Sequence, residues 1–263
     1  MRLYQAVSTF YFNQQTIMKK HIPNSITCCN LISGCIATYF AFQGNFHSAF
    51  LFIIIGAVFD FFDGFVARLL HVASPIGKEL DSLADDITFG MAPATIVFAM
   101  LRELLTATTC PANCPLTIPA IAAYLPFTAY LIAAFSALRL AKFNLDTRQS
   151  VSFIGLPTPA NALLWASLTV SLHNHNWFGA EPWMIFAILG GIILSCWMLV
   201  CEIPMFALKF KTYGIKGNEL RYSFILVSMI LLFCLGWIGF SAIILLYMLT
   251  SILNNLFGTK ISK

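Results

Sequence analysis

Charge is scarce in this sequence. Only 10% of its 263 residues are Asp, Glu, Lys or Arg, and only 11 are acidic. A soluble domain carries roughly a quarter charged residues, so a water-soluble globular fold is excluded. The net charge of +4 is no nucleic-acid signal, and no nucleic-acid partner is expected. No second Cys or His pair accompanies Cys110 and Cys114, which sets aside a structural zinc site. The first 17 residues lack a basic segment followed by a short apolar run, so no cleavable signal peptide is expected. Internal repeats, low-complexity tracts and any sign of a second domain are absent as well.

What is abundant is apolar surface. Hydrophobic residues make up 59% of the chain, and the mean hydropathy is +0.81. The expected fold class is an all-α integral membrane protein, a polytopic helical bundle. Runs that can supply the ~20 residues of one crossing lie at 25–43, 47–70, 82–104, 117–143, 157–173, 182–208, 221–236 and 238–256. The last two share one apolar stretch broken at Gly236-Trp237-Ile238-Gly239, which reads as two short helices joined by a tight turn.

These eight spans predict an orientation. With Lys19 and Lys20 in the cytoplasm, Arg68, Lys78, Arg139, Lys142, Arg148, Lys209, Lys211, Lys216, Arg221, Lys260 and Lys263 fall on the same side, and Arg102 falls outside. Such asymmetry follows the positive-inside rule. Residues 1–20 read as an N-terminal extension or interfacial segment, with Met18 resembling a natural start, 21–208 as a six-helix core and 209–263 as a C-terminal helix pair. Cys28, Cys29, Cys35, Cys196, Cys201 and Cys234 lie in apolar runs and read as small core residues. Cys110 and Cys114 sit in a polar loop that would suit a disulfide in an oxidising compartment. His173, Asn174, His175 and Asn176 read as ordinary external-loop residues.

The chemistry concentrates between residues 60 and 85, in the pattern Asp60-x2-Asp63-Gly64-x2-Ala67-Arg68-x8-Gly77-x3-Asp81-x3-Asp85. Ionised carboxylates at membrane depth are costly and imply a ligand or a reaction. Asp60 and Asp63 share one face at the end of the second predicted helix, and Asp81 and Asp85 share one at the start of the third. Ser74, Pro75 and Gly77 suit a turn between them. Four converging carboxylates repel one another unless cations intervene, so Mg2+ or Mn2+, and two ions rather than one, are the expected cofactors. Such metal pairs hold diphosphates and stabilise phosphoryl displacement. Gly64 and Gly77 let a nucleotide approach the backbone, Ala67 keeps the groove shallow, and Arg68 can present its fork to phosphate. Lys78, Glu79 and Asp86 fall outside the pattern and are expected in solvent, Asp86 pointing about 100° from Asp85 on a helix.

The pattern resembles the signature of the CDP-alcohol phosphotransferase family, D-x2-D-G-x2-A-R-x8-9-G-x3-D-x3-D, at every fixed position. Further segments are similar to the bacterial phosphatidylserine synthase branch. They are Pro23-Asn24-x2-Thr27-x2-Asn30-Leu31-x2-Gly34, Ser82-Leu83-Ala84-Asp85, Phe89-Gly90-x2-Pro93-Ala94, Arg139-Leu140-Ala141-x-Phe143-Asn144 and Gly155 through Ala162. The resemblance runs from about residue 21 to 162 and is looser beyond. It implies transfer of the phosphatidyl group of CDP-diacylglycerol to L-serine, with release of CMP, in a homodimer of the bacterial inner membrane whose active site faces the cytoplasm. It assigns Asp60, Asp63, Asp81 and Asp85 to the metals and Asp85 also to the general base. It gives Gly64, Ala67, Arg68 and Gly77 to the CDP group.

Asn24, Thr27 and Asn30 stand where the first predicted helix opens, to contact the nucleotide, the alternative being helix capping by Asn24 or Ser25. The resemblance further implies that Arg139 and Lys142, with Asn161 a weaker candidate, form an acceptor or phosphate pocket. Two alternatives stay open: the same chemistry on glycerol 3-phosphate or inositol, and a cation-coupled transporter, for which acids near the bilayer midplane would be expected.

Overall fold

A computed structural model describes residues 2–72, 74–109, 122–146, 153–174, 182–205, 214 and 218–257, with side chains described from residue 21 onward and not at 108, 109, 122, 153, 182, 256 and 257. Cys110, Cys114, His175 and Asn176 lie outside the described residues. The elements are α1 (Arg2–Phe42), α2 (Phe46–Leu69), α3 (Pro75–Asp85), a π-helical turn (Asp86–Met91) and α4 (Ala92–Thr109). A 3-10 segment (Ala122–Tyr130) then leads into α5 (Leu131–Leu145). The remainder comprises β1 (Phe153–Ile154), α6 (Thr158–Asn174), α7 (Pro182–Val200), β2 (Pro204–Met205), α8 (Glu219–Leu235) and α9 (Trp237–Phe257).

Six described helices are long and apolar enough to cross a membrane: His21–Phe42, Phe46–Leu69, Pro75–Ala107, Ala123–Leu145, Trp183–Val200 and Trp237–Asn255. The protein is therefore an all-α polytopic membrane protein. Of the eight expected crossings, those at 157–173 and 221–236 coincide with α6 and α8, which have 17 residues each. The expected turn between the last two helices is Gly236, with φ +58°. Gly239 meets the preceding helix so closely that a Cβ would stand 2.8 Å from the Leu231 carbonyl oxygen.

Four boundaries depart from the sequence reading. The first helix does not open at Asn24 or Ser25, because α1 runs through Pro23 from Arg2; neither residue is its N-cap. The third helix begins at Pro75, not 82. Ser74 is its N-cap, the Ser74 hydroxyl accepts from the Gly77 amide at 3.0 Å, and Pro75 occupies the first turn. Lys78 and Glu79 make that turn too polar for a hydropathy window to include. The sixth span stops at Val200 rather than 208. Pro204 cannot continue a helix and biases Ile203 towards extended backbone, so the chain pairs instead with the segment before α6. There Phe153 faces Met205 and Ile154 faces Pro204 in an antiparallel ribbon. Finally, His173 and Asn174 belong to the last turn of α6. His173 Nδ1 lies 3.8 Å from Glu103 Oε2, and His47 Nε2 and Asn174 Oδ1 are 3.1 Å apart.

Cys28, Cys29, Cys35 and Cys234 are exposed, whereas Cys196 is buried and Cys201 half-buried. The core reading holds poorly for the first four, because hydrocarbon outside the bundle is as apolar as its interior.

The centre of the bundle is a close crossing of α1, α2 and the π-helical turn. Gly34 and Gly56 both abut Thr88: a Cβ on Gly34 would collide with the Thr88 hydroxyl oxygen, and one on Gly56 would stand 2.5 Å from Thr88 Cγ2. Thr88 is fully buried and its hydroxyl donates to the Asn30 carbonyl at 3.0 Å. Around this crossing packs an apolar core that includes Phe46, Phe50, Ile53, Phe89, Ile96, Met100 and Ile132.

Overpacking a filled core costs about 1–3 kcal/mol. Gly56→Ala is expected to lower thermal stability in detergent by that order. Thr88→Ser removes the obstructing methyl and keeps the hydroxyl, so the double variant should recover much of the loss. Additive losses would contradict the crossing described here.

Candidate active site

The end of α2 carries Asp60 and Asp63, and α3 carries Asp81 and Asp85. The α1 crossing brings both helices alongside residues 23–30. One carboxylate oxygen from each of Asp60, Asp63 and Asp81 lies within 4.8 Å of the others. Asp85 stands beside Asp60 but outside that tight group. It is buried, and its Oδ1 accepts a 3.1 Å hydrogen bond from Asn30 Nδ2. Among the described residues, Asp63 Oδ2 and Asp81 Oδ1 are buried without a hydrogen-bond partner. Buried carboxylate oxygens at this spacing, unpaired by any cation among those residues, fit a hard divalent ion.

Above the carboxylates opens a cleft of about 220 Å³ lined by Pro23, Asn24, Thr27, Asp63, Gly64, Ala67, Val72, Ser74, Gly77, Lys78 and Asp81. Five sequence-predicted nucleotide contacts, Asn24, Thr27, Gly64, Ala67 and Gly77, thus surround one space. Gly77 is tightly enclosed, since a Cβ there would stand 3.0 Å from Ser74 Oγ and 3.1 Å from Asn24 Oδ1. Arg68 is exposed and folds back on its own helix, its Nε donating to the Gly64 carbonyl at 2.9 Å. It stands at the rim rather than in the wall. Asn30 is fully buried and engages Asp85, so its expected nucleotide contact gives way to orientation of that carboxylate.

Lys78, expected in solvent, is exposed and also borders the cleft, and Asp86 is half-buried outside it. Lys78 lines the cleft, and its Nζ donates to the Asn144 carbonyl at 3.0 Å. Its place one position after Gly77, on the stripe Ser74, Lys78, Asp81 and Asp85, was the available signal. Among the described residues Asp86 Oδ1 is buried without a partner, and a Cβ on Gly90 would stand 2.7 Å from it, near Ser136 of α5. The π-helical turn starts at Asp86, whose own backbone is ordinary α-helix at φ −64° and ψ −36°; α5 lies beside this face and covers it.

The three acceptor-pocket candidates separate. Arg139 and Lys142 line a small second pocket with Asp146 and Glu202. Arg139 is buried, its Nε donates to the Leu156 carbonyl at 2.8 Å, and its guanidinium lies 5.4 Å from the Phe143 ring centre. Asn161 does not join them. It is fully buried and accepts from the Ser195 hydroxyl, which in turn accepts from Trp165 Nε1. A polar residue in an apolar run here stitches α6 to α7 within the core. The second pocket is tied to the first, because Asn144 Nδ2 donates to Ser82 Oγ at 2.8 Å and Lys78 reaches the Asn144 carbonyl. These contacts clamp the end of α5 to α3.

A family model for CDP-alcohol phosphatidyltransferase matches residues 20–253. The chain belongs to the CDP-alcohol phosphatidyltransferase family. Among its relatives, the CDP-diacylglycerol–serine O-phosphatidyltransferase of Bacillus subtilis is 39% identical over 139 residues, covering 53% of this chain and 70% of that protein. The enzyme of the same name from Helicobacter pylori (strain J99) is 28% identical over 237 residues, covering 89% of this chain and 91% of the relative. The Saccharomyces cerevisiae enzyme of that name is 32% identical over 185 residues, or 63% of this chain and 59% of its own length. The family match spans the carboxylate cluster, the cleft and the second pocket alike.

Mn2+ is expected to raise the melting temperature of the detergent-solubilised protein, since a ligand at 100 times its Kd adds about 2.7 kcal/mol to folding stability. Asp63→Asn and Asp81→Asn should remove most of that shift while leaving the metal-free protein as stable or more so, because each relieves like-charge repulsion. Unchanged metal shifts in both variants would rule out this cluster as the ion site.

Proposed function

We propose that this protein transfers the phosphatidyl group of CDP-diacylglycerol to the hydroxyl of L-serine, giving phosphatidylserine and CMP. The observation that carries the reading is the carboxylate cluster at the floor of a cleft lined by Asn24, Gly64, Ala67 and Gly77. The relatives' names support serine as the acceptor. Glycerol 3-phosphate or inositol would use the same cluster and cleft, and none of those relatives carries such a name. The cation-transporter reading finds no support, since the chain belongs to a transferase family.

In this reading Asp60, Asp63 and Asp81, completed by Asp85, hold two divalent ions, Mg2+ or Mn2+. When bound, these would neutralise the diphosphate and make its phosphorus more electrophilic. Asn24, Thr27, Gly64, Ala67 and Gly77 seat the CDP moiety, with Arg68 at the rim beside its phosphates. Asp85, oriented by Asn30, accepts the serine hydroxyl proton. The serine oxygen bonds to the phosphorus that carries diacylglycerol, the bond from that phosphorus to the bridging oxygen breaks, and CMP leaves with that oxygen. A carboxylate is a weak base for an alcohol, so placement and charge stabilisation supply most of the rate.

The clustering of basic residues on one predicted face supports a site on the cytoplasmic side of a bacterial inner membrane. The lipid substrate enters sideways from the bilayer. We take the assembly to be a homodimer, by family analogy, with residues 21–208 as the catalytic core.

The test is CMP release by the purified protein with CDP-diacylglycerol and Mn2+ or Mg2+, comparing L-serine, glycerol 3-phosphate and inositol. Metal-dependent release with serine alone is expected. Asp85→Asn should lower kcat by about 10²–10⁴ with little change in KM for the donor. Asn30→Ala should lower kcat by a smaller factor. Release with a different acceptor alone would overturn the substrate assignment.

A further inference from the structure

Helices α6, α7 and α9 enclose a third space, apart from the cleft and the charged pocket. It is a cavity of about 150 Å³ bounded by Trp165 and Leu168 of α6, Leu194 of α7 and Leu245 of α9, with Leu156, just before α6, at one end. We propose that this cavity holds one acyl chain of a resident membrane phospholipid, a ligand other than the CDP-diacylglycerol consumed in the reaction. The site stands whatever alcohol the protein uses as acceptor.

The cavity suits hydrocarbon and not water. Its two hydroxyls are engaged elsewhere. Ser195 accepts from Trp165 Nε1 at 3.1 Å and donates to Asn161 Oδ1, and Ser241 donates to the Leu164 carbonyl at 3.0 Å. An apolar cavity of roughly 150 Å³ stays dry and takes a guest the size of benzene, whereas an ordered water needs about two to four polar partners. The Trp165 indole cannot swing across the space. Ser195 holds its nitrogen, and the ring lies so near α7 that a Cβ on Gly191 would stand 3.0 Å from Trp165 Cη2. The rim faces lipid, because Leu194 and Leu245 are each 53% exposed and both lie in helices long and apolar enough to cross a membrane. A chain that leaves the bilayer for this cavity exchanges one hydrocarbon setting for another, so packing drives it. An empty void forfeits dispersion contacts along its walls, and a chain restores them.

The lining argues for a resident lipid over the donor. The carboxylate cleft is built from α1, α2, α3 and the turn between the last two, the cavity from α6, α7, α9 and Leu156, and no residue lines both. A donor seated by its diphosphate in the cleft is therefore served by other walls. Leu156 marks the end nearer the carboxylates, since its carbonyl accepts from Arg139 of α5 and α5 is clamped to α3. The lipid accordingly belongs to the leaflet on that side. Its chain bridges α7 and α9 across α6, and so fastens the C-terminal helix pair to the helices that precede it.

The experiment uses Trp165 as the reporter in the full-length protein. Trp177→Phe, Trp183→Phe, Trp197→Phe and Trp237→Phe together leave it as the sole tryptophan. The protein is placed in bilayers of phosphatidylethanolamine whose acyl chains carry bromine, which quenches indole emission only on contact. Trp165 is 3% exposed, so chains passing outside the bundle do not reach it. Marked loss of its emission relative to unbrominated lipid is expected, and it should persist when excess unbrominated CDP-diacylglycerol is added. Leu168→Phe with Leu245→Phe, which narrows the cavity, should restore the emission. Emission equal in brominated and unbrominated lipid would overturn the proposal, and so would quenching that CDP-diacylglycerol abolishes, which would give the chain to the donor. A second measurement needs no tryptophan change. Phosphatidylethanolamine added to the delipidated protein in detergent should raise its melting temperature, and should do so much less in the narrowed variant. An equal rise in both would also overturn the site.

Discussion

The approach of three helical segments at Thr88 is the constraint on which the rest depends. Helices α1 and α2 can touch the π-helical turn there because Gly34 and Gly56 have no side chains to keep them apart. The Thr88 hydroxyl then reaches the Asn30 carbonyl, and the Asn30 side chain reaches Asp85. One contact zone therefore sets both the depth of the crossing and the direction of a buried carboxylate. A wider crossing would leave Asp85 unpaired in an apolar setting, where an uncompensated charge is least tolerated.

From that zone the site is layered. Three acids with mutually close oxygens form the floor, small residues and short polar side chains form the cleft walls, and Lys78 and Arg68 stand nearer to solvent. Beyond it, the clamp from Ser82 and Lys78 to Asn144 couples α3 to α5, so the cleft and the charged pocket share a wall. The C-terminal pair also contributes. Tyr247 of α9 faces Arg139 and packs edge-on against Phe224 of α8 at 6.1 Å between ring centres. Helix α9 thus lies near the buried arginine of the second pocket.

Much of the site was legible because its chemistry needs rare residue types at helical spacing. Asp60, Asp63 and Asp81 meet as their offsets imply, and Asn24, Thr27, Gly64, Ala67 and Gly77 surround one cleft. Where the reading failed, the side chain's partner lay far along the chain. Asn30 and Asn161 look alike as amides in apolar runs; one turns to Asp85 and the other to Ser195. Asp86 read as solvated because its helix face was taken to meet water, whereas α5 packs beside it. The short ribbon of Phe153–Ile154 with Pro204–Met205 was invisible, since two residues paired across about fifty carry no period.

The sequence alone determined that this is a helical membrane protein with a metal-suited carboxylate cluster, because hydropathy and spacing along one helix are local properties that no distant contact can undo. Only the tertiary structure decided which polar residue serves chemistry and which serves packing. It also decided that Arg139, Lys142, Asp146 and Glu202 come together. Those outcomes depend on how helices cross, and crossings are set by the sizes of residues that meet from distant parts of the chain.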